Sequence, residues 1–190
     1  MLAYVFWHWP QDGVPEAAYE EALGRFHSTL EEDSPDGFVS SAAFRIRGAG
    51  WVPKAISYED WYLITDFDAL GNLNDEAVAR SHSAAHDQAA RYAEGGTGGI
   101  YRAIVGQARL APARFAAWMS KPRGLGYSAF FAALASKTSQ PDITLWQRQL
   151  TLGPASEFCL HSVEKHELPE EFRPLWVELS PVWAPAARQS

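Results

Sequence analysis

The sequence contains little sulfur and no apolar run that could cross a membrane. Its 190 residues include one cysteine, Cys159, so no disulfide can form within the chain. A membrane-spanning helix needs about 18 or more consecutive apolar residues, and no window of the sequence reaches that length. The first residues also lack the basic start of a signal peptide, and His8 and Pro10 interrupt their short apolar run. We therefore expect a cytoplasmic protein.

Several common catalytic motifs are also missing. There is no G-x-S-x-G nucleophile elbow, and Cys159 lies between Phe158 and Leu160, which is typical of a buried, unreactive thiol. His82 and His86 have a spacing that can bind a metal, but "HSAAH" lacks the glutamate of H-E-x-x-H. The stretch "GGTGG" lacks the G-K-[ST] ending of a phosphate-binding loop, so we predict a helix end followed by a turn there. We expect no metal site.

Basic residues are scarce, most of all in the first part of the chain. The net charge is -7; residues 1–106 contain 7 Lys and Arg against 16 Asp and Glu, whereas residues 107–190 contain 9 against 7. Binding to nucleic acid requires clustered lysines and arginines that neutralise phosphates. We therefore expect no nucleic-acid partner.

Aromatic residues, in contrast, are abundant. They make up 13% of the chain and include 8 tryptophans, which need a packed core, a subunit interface or a ligand to cover them. The opening stretch "MLAYVFWHWP" concentrates them. Alternation places Tyr4, Phe6 and His8 on one face and Val5 and Trp7 on the other. Because both faces are apolar, we predict a central strand that is covered on both sides.

Hydrophobic periodicity and turn signals predict the elements of residues 1–108. The opening strand is followed by a helix that begins near Pro15. The remaining predicted elements are strands at 38–48 and 57–67, a helix at 74–94 with Asn74 as its N-cap, and a strand at 100–106. The order β-α-β-β-α-β is that of a ferredoxin-like fold, in which two helices cover one face of an antiparallel sheet. The other face is apolar and needs a partner.

Residues 109–190 repeat this order less clearly. The strand "RFAAWMSKP" and the helix "GYSAFFAALASK" are followed by predicted strands at 142–153 and 156–168. A reduced helix at "PEEFRPLW" and a short strand at "VELSPVW" complete the order. The sequence therefore predicts an α+β fold of two fused ferredoxin-like repeats, at 1–108 and 109–190. The second repeat is degenerate, and the two antiparallel sheets face each other as a barrel.

This element order resembles that of the dimeric α+β barrel superfamily. The segment "YEDWYLITDFDALGNLNDEAV", followed by "HD", is also similar to segments of uncharacterised bacterial proteins of this type. The resemblance implies a small-molecule pocket in or beside the barrel. Members of the superfamily include cofactor-independent monooxygenases, isomerase-like proteins, chlorite dismutase-like haem proteins and proteins of no known activity, so the fold alone does not select a reaction.

Polar residues on the aromatic strands are the candidate site residues. His8 is the candidate catalytic residue, because a half-buried imidazole can act as an acid or a base near neutral pH. If its face lines the barrel, His8 projects into an aromatic cavity; the alternative is a structural histidine that is hydrogen-bonded to neighbours. The candidate ligand-binding residues are Tyr4, Phe6, His8, Asp60, Tyr62, Gln147, Gln149 and His161.

Three functions stay open at this point. The first is a small-molecule-binding barrel, such as a cofactor-independent monooxygenase or isomerase that acts on an apolar or aromatic compound. The second is a non-catalytic interaction or structural protein, in which the aromatic excess forms a homodimer interface. The third is a haem protein of the chlorite dismutase-like kind, with His161 or His8 as the axial ligand. No residue pattern requires haem, so we expect no cofactor for the first function.

Overall fold

The opening aromatic run forms a strand, as predicted. The computed structural model describes residues 1–149 and 153–184, and this strand is the first of eight in that part of the chain. The strands are β1 (Leu2–Pro10), β2 (Phe38–Arg47), β3 (Ser57–Ile64), β4 (Ala93–Val105), β5 (Phe115–Met119), β6 (Thr144–Arg148), β7 (Phe158–Ser162) and β8 (Leu175–Trp183). The helices are α1 (Glu16–Glu32), α2 (Phe67–Ala79), α3 (Ser83–Ala90) and α4 (Tyr127–Thr138), with a short 3-10 helix at Glu170–Phe172.

The eight strands close into one antiparallel barrel. Their order around it is β1-β3-β2-β8-β5-β7-β6-β4, and the last strand pairs with the first. The first four strands therefore have the order β4-β1-β3-β2 and the last four the order β8-β5-β7-β6. The pairs β2 with β8 and β4 with β6 join the two groups. The predicted fold class is confirmed. The predicted boundary at 108/109 falls between β4 and β5, and the division of the chain into two repeats stays a prediction.

The barrel interior is filled by large aromatic side chains. Trp7, Trp61, Trp118 and Trp146 are fully buried. The ring centroids of Trp7 and Trp118 lie 5.4 Å apart, and those of Trp61 and Trp146 lie 5.0 Å apart. Indole rings at these distances pack directly against one another. The condition under which His8 would project into a cavity inside the barrel is not met, because the opposite face of β1, with Val5 and Trp7, turns inward.

The outer face of the first four strands is covered by helices. Helix α1 begins after Pro15, as predicted, and buries a stripe that contains Tyr19, Leu23 and Phe26. This stripe faces the outward side chains of β1 and β3, and α2 and α3 lie beside it. The first half-sheet thus has one face on the tryptophan core and the other under three helices, which explains why both faces of β1 are apolar.

The "GGTGG" stretch is part of strand β4 and not the end of a helix. It pairs with β1, where Gly98 stands opposite Phe6 and Gly96 opposite His8. A Cβ on Gly98 would lie 2.8 Å from the Tyr4 ring, and one on Gly96 would overlap the Phe6 ring. The glycines therefore give the strand room for aromatic rings that lie across it, and the turn prediction is wrong.

The predicted helix at 74–94 is two helices with a break between them. Helix α2 begins earlier, because Asp66 is its N-cap and Asp66 Oδ1 accepts a hydrogen bond from the Ala69 amide at 3.0 Å. Asn74 lies inside this helix and does not cap it. At the break, His82 is buried and its Nε2 lies 3.1 Å from the Thr29 carbonyl oxygen on α1. This contact holds the connection between α2 and α3 against α1.

The second group of strands is covered by a single helix. Helix α4 packs Phe130 and Leu134 against Phe158 of β7 and against Phe172 of the 3-10 helix. The strand predicted at 142–153 is β6, which ends at Arg148. Residues 150–152, and residues 185–190 of the predicted second repeat, lie outside the described residues.

Cys159 is buried on β7 in the core, and burial raises the pKa of its thiol well above the usual value. No helix in the described part of the chain is long and apolar enough to span a membrane.

Candidate functional site

A pocket of about 670 Å³ lies outside the barrel, between the first half-sheet and helices α1 to α3. Aromatic and aliphatic side chains form most of its wall. Among the described residues, Asp60 is the only Asp, Glu, Lys or Arg that lines it. The lining residues are Tyr4, Phe6, His8, Tyr19, Leu23, Phe26, Asp60, Tyr62, Phe67, Leu70, Gly71, Leu73, Asn74, Ala77, Val78, His86, Ala89, Ala90 and Ala93.

Asp60 is the centre of a buried polar cluster at one side of this pocket. Strand β3 turns Asp60 outward, and the register with β1 places it opposite Phe6. Its Oδ2 atom lies 3.2 Å from His8 Nε2 and 3.3 Å from His27 Nε2. The Tyr62 hydroxyl donates a hydrogen bond to the same oxygen at 3.1 Å. Three groups from three elements therefore converge on one carboxylate oxygen.

The outer ends of the two imidazoles are also engaged. The Tyr19 hydroxyl lies 2.6 Å from His8 Nδ1, and the Ser41 hydroxyl lies 2.7 Å from His27 Nδ1. Because a carboxylate only accepts hydrogen bonds, the Nε2 atom of each ring must carry the proton that faces Asp60. In a neutral ring Nδ1 is then an acceptor, and the neighbouring hydroxyl donates to it. One continuous chain of polar groups runs from Tyr19 to Ser41.

The surroundings of Asp60 keep it ionised. Burial by itself would raise the pKa of its carboxyl group, but the facing imidazoles of His8 and His27 outweigh burial and hold this pKa well below its usual range. For Tyr62, burial and the adjacent Asp60 charge raise the pKa well above the usual value of 10.0. Burial and Asp60 likewise raise the pKa of Tyr19 and raise that of Tyr4 to about 12. The site therefore contains one carboxylate among neutral phenols.

The second carboxylate oxygen has no partner. Asp60 Oδ1 is buried and receives no hydrogen bond from the described residues. A buried ionised oxygen without a donor is costly, so such atoms are rare in folded proteins. The aromatic rings around the cluster are closely packed: His8 stacks between Phe6 and Tyr58, with ring centroids 5.3 and 5.6 Å away. The polar cluster is thus fixed in position at the edge of an apolar pocket.

The structure brings together five of the eight candidate ligand-binding residues. Tyr4, Phe6, His8, Asp60 and Tyr62 all line the pocket, on the outer face of adjacent strands. Their role as ligand-binding residues stays a prediction.

The other three candidates lie elsewhere. Gln147 and Gln149 are partly exposed near the end of β6, where Gln149 Nε2 donates to the Gln147 carbonyl oxygen at 3.1 Å. His161 faces the barrel interior, and its ring lies 4.4 Å from that of Trp61. These residues cannot form one site with His8, because the packed core and the wall of the barrel lie between them.

Three members of the cluster, Tyr19, His27 and Ser41, are not among the residues predicted from the sequence. Tyr19 lies in the buried stripe of α1, and His27 lies next to Phe26 of that stripe. The one sequence signal for His27 is its place beside the apolar stripe of α1, where a polar side chain needs a hydrogen-bonding partner. Its partner, Asp60, lies on a strand 33 positions away, and single-sequence periodicity does not reveal such contacts.

The predicted haem ligands do not fit haem. Both ring nitrogens of His161 are buried in the tryptophan-filled interior, where the packed rings leave no space beside them for a porphyrin. Both ring nitrogens of His8 contact protein groups, and no Lys or Arg among the described residues lines the pocket to meet haem propionates. We therefore derive no step through haem.

His82 and His86 do not form a metal site with each other. His82 lies just before α3 and is buried against α1, whereas the His86 side chain is 33% exposed and lies beside Asp87. In the described part of the chain, no three His, Cys, Asp or Glu side chains are grouped so that they could hold a metal ion.

Comparisons with known proteins show a shared fold. No protein-family model matches the chain, and no curated protein matches it in sequence. An anthrone oxidase-like protein aligns over 99% of this chain and 94% of its own, with 10% identity and a TM-score of 0.55. The chain has the ferredoxin-like α+β barrel fold. A structure described as a "Putative Chlorite dismutase" covers 95% of both chains at 15% identity and a TM-score of 0.54.

A third solved structure has the same fold. It is described as a "putative monooxygenase from Lactobacillus acidophilus NCFM" and aligns over 96% of this chain and 94% of its own, with 8% identity and a TM-score of 0.54. At these identities the likeness concerns the fold and not the reaction.

Proposed function

We propose that the pocket binds an apolar or aromatic small molecule and that Tyr19, His8 and Asp60 together remove a proton from it. Proton removal is the first step that cofactor-independent monooxygenases and isomerases have in common. The observation that supports this most strongly is the buried, ionised Asp60, which lies against His8 at the polar edge of an apolar pocket. Perturbed carboxylates of this kind are concentrated at functional sites.

The shape and lining of the pocket favour a small organic ligand. Ligand sites commonly enclose about 300–1,000 Å³ and combine apolar walls with a few polar groups. This pocket, at about 670 Å³, has that size, and it presents the rings of Tyr4, Phe6 and Phe26 with one carboxylate. A flat aromatic molecule stacks well on such walls.

The polar cluster is arranged for proton transfer. Tyr19 lines the pocket, and its hydroxyl lies 2.6 Å from His8 Nδ1. When a bound molecule gives its proton to the Tyr19 oxygen, the Tyr19 hydroxyl proton passes to His8 Nδ1. Asp60, on the other side of the ring, stabilises the imidazolium that forms, as in other hydroxyl-histidine-carboxylate arrangements. The raised pKa of Tyr19 keeps it a neutral phenol between turnovers.

The names of two structural neighbours favour the oxygen-using form of this chemistry. One is an anthrone oxidase-like protein and another is described as a "putative monooxygenase". Anthrone is therefore a suitable probe: its CH₂ group loses a proton, the carbanion reacts with O₂, and anthraquinone and water are the products. The protein supplies the proton acceptor and the apolar enclosure, and O₂ is the oxidant.

A binding and turnover experiment tests the proposal. Binding of aromatic compounds is measured by calorimetry in the wild type, in Ala90→Trp, which fills the pocket rim, and in Ala84→Trp, which is exposed on the same helix outside the pocket. We expect Ala90→Trp to weaken binding at least about tenfold and Ala84→Trp to leave it unchanged.

The same samples are then assayed for O₂ consumption with anthrone. We expect His8→Gln and Tyr19→Phe each to lower the rate by about 10²-fold or more, since general base catalysis contributes about that much. Equal binding in both tryptophan variants, or undiminished rates in His8→Gln and Tyr19→Phe, contradicts the proposal.

A further inference from the structure

We infer that the ligand of this pocket carries a hydrogen-bond donor, a hydroxyl or N–H group, which binds Asp60 Oδ1, and that the pocket selects against carboxylates and against ligands that only accept hydrogen bonds. This inference rests on the proposed function of the pocket and names the class of compound that it takes. The deciding feature is a difference between the two oxygens of one buried side chain.

The two oxygens of Asp60 have very different surroundings. Oδ2 accepts a hydrogen bond from the Tyr62 hydroxyl, and His8 Nε2 and His27 Nε2 lie within 3.3 Å of it. Oδ1 is buried as well, yet no hydrogen bond from the described residues reaches it. A carboxylate oxygen can accept two hydrogen bonds, and leaving it without any forfeits a charge-assisted interaction. A donor on a bound molecule restores that interaction.

The charge of the pocket gives the second part of the inference. No Lys or Arg among the described residues lines it, and Asp60 is the one carboxylate among its described lining residues. A carboxylate ligand would bring a second negative charge next to Asp60, without a lysine or arginine to balance it. Like charges at such a distance in a partly dry site are strongly unfavourable. A neutral donor avoids this repulsion.

The arrangement also predicts how the selectivity can be inverted. In Asp60→Asn, one end of the side chain is a carbonyl oxygen and the other an NH₂ group. The three donors around Oδ2 require the carbonyl oxygen on their side, so the NH₂ group takes the place of Oδ1. The pocket then presents a donor where the wild type presents an acceptor. The variant should therefore prefer ligands that accept hydrogen bonds.

Matched pairs of ligands test the inference by calorimetry. The pairs are 2-naphthol with 2-methoxynaphthalene, and indole with 1-methylindole; naphthalene and 2-naphthoate complete the series. In the wild type we expect each donor to bind about tenfold or more tightly than its methylated partner, which is the usual effect of a hydrogen bond to a charged group. We expect 2-naphthoate to bind more weakly than naphthalene. In Asp60→Asn the preference within each pair should disappear or reverse.

A charge control separates the pocket carboxylate from the overall charge. Asp68→Asn removes an exposed carboxylate from α2, outside the pocket, and should leave all preferences unchanged. Circular dichroism verifies folding, and if Asp60→Asn does not fold, the wild-type pairs decide. Equal affinity within the wild-type pairs overturns the inference while the proposed function stands. If no member of the series binds, the proposed function fails as well.

Discussion

At the scale of single residues, Asp60 shows how a charged group is accommodated in an apolar site. Removing a carboxylate from water is costly, and this cost is offset only where several donors surround it. The Tyr62 hydroxyl donates a hydrogen bond to Asp60 Oδ2, and the imidazoles of His8 and His27 lie within 3.3 Å of the same oxygen, each from a different element. His27 is fully buried and does not line the pocket, so its contribution is to hold Asp60 in place.

Replacing His27 should therefore destabilise the fold more than replacing His86, which lines the pocket without contacting Asp60. We expect His27→Asn to lower the free energy of unfolding by about 2–4 kcal/mol, since it leaves a buried charge with fewer partners. His86→Asn, at a partly exposed position in the pocket wall, should change it by less than about 0.5 kcal/mol. Urea denaturation at pH 7 measures both values, and equal effects would show that His27 does not support the Asp60 charge.

At the scale of elements, the strand β4 depends on the absence of side chains. Its glycines lie beneath aromatic rings of β1, and a Cβ on Gly96 would overlap the ring of Phe6. Phe6 also lines the pocket, so the glycines of β4 make room for a ring of the pocket wall. Glycine is unfavourable in a strand for reasons of chain entropy, and here close packing explains its presence.

Adding one methyl group tests this explanation. We expect Gly96→Ala to destabilise the protein by about 1–3 kcal/mol, because the Phe6 ring must move. In contrast, Gly24 lies inside α1 with no atom within 4 Å of a Cβ, so Gly24→Ala should stabilise the protein by about 0.5–1 kcal/mol. Thermal denaturation of the two variants provides the comparison. A neutral or stabilising Gly96→Ala would show that the ring is not confined.

The same elements show how far the sequence could be interpreted. The alternation of side chains correctly placed Tyr4, Phe6 and His8 on one face of β1 and Val5 and Trp7 on the other. The order of strands and helices along the chain predicted the fold. Alternation could not tell which face turns inward, because both faces are apolar and both are covered. The glycines of β4 were interpreted as a turn, since the rings that require them are far away in sequence.

At the scale of the whole molecule, the barrel separates two buried regions. The interior is a packed aromatic core, and the pocket lies outside, under the helices of the first half. The interior also contains Glu59, which accepts hydrogen bonds from the indoles of Trp7 and Trp61 at 2.7 and 2.5 Å. Burial raises the pKa of Glu59 to about 7, despite those hydrogen bonds, and burial lowers the pKa of His161 to about 3.

These two groups give the stability a defined pH dependence. The folded chain holds a proton on Glu59 that the unfolded chain loses above pH 4.5, so Glu59 reduces stability as the pH rises from 4.5 to about 7. Below pH 6.5 the unfolded chain binds a proton on His161, whereas the folded chain does not bind it until about pH 3. Stability is therefore lost as the pH falls from 6.5 to about 3. Between pH 6.5 and 4.5 the two contributions oppose each other.

We therefore expect a free energy of unfolding that changes little from pH 6.5 to 4.5 and falls steeply below pH 4.5. Protonation of Asp60, whose pKa is held below its usual 3.8, adds to the loss below that value. In Glu59→Gln this compensation is absent, so the free energy of unfolding should already decline below pH 6.5. The difference in this free energy between the variant and the wild type should change by about 3 kcal/mol between pH 4.5 and 7. Urea denaturation across this range measures it, and parallel profiles would contradict the assignment.

A crystal structure of the protein with 2-naphthol tests the central claim most directly. We predict that the naphthalene rings lie between β1 and helices α1 to α3, against Tyr4 and Phe6, with the hydroxyl oxygen within hydrogen-bond distance of Asp60 Oδ1. Naphthol bound inside the barrel, or bound in the pocket with its hydroxyl turned away from Asp60, would contradict it.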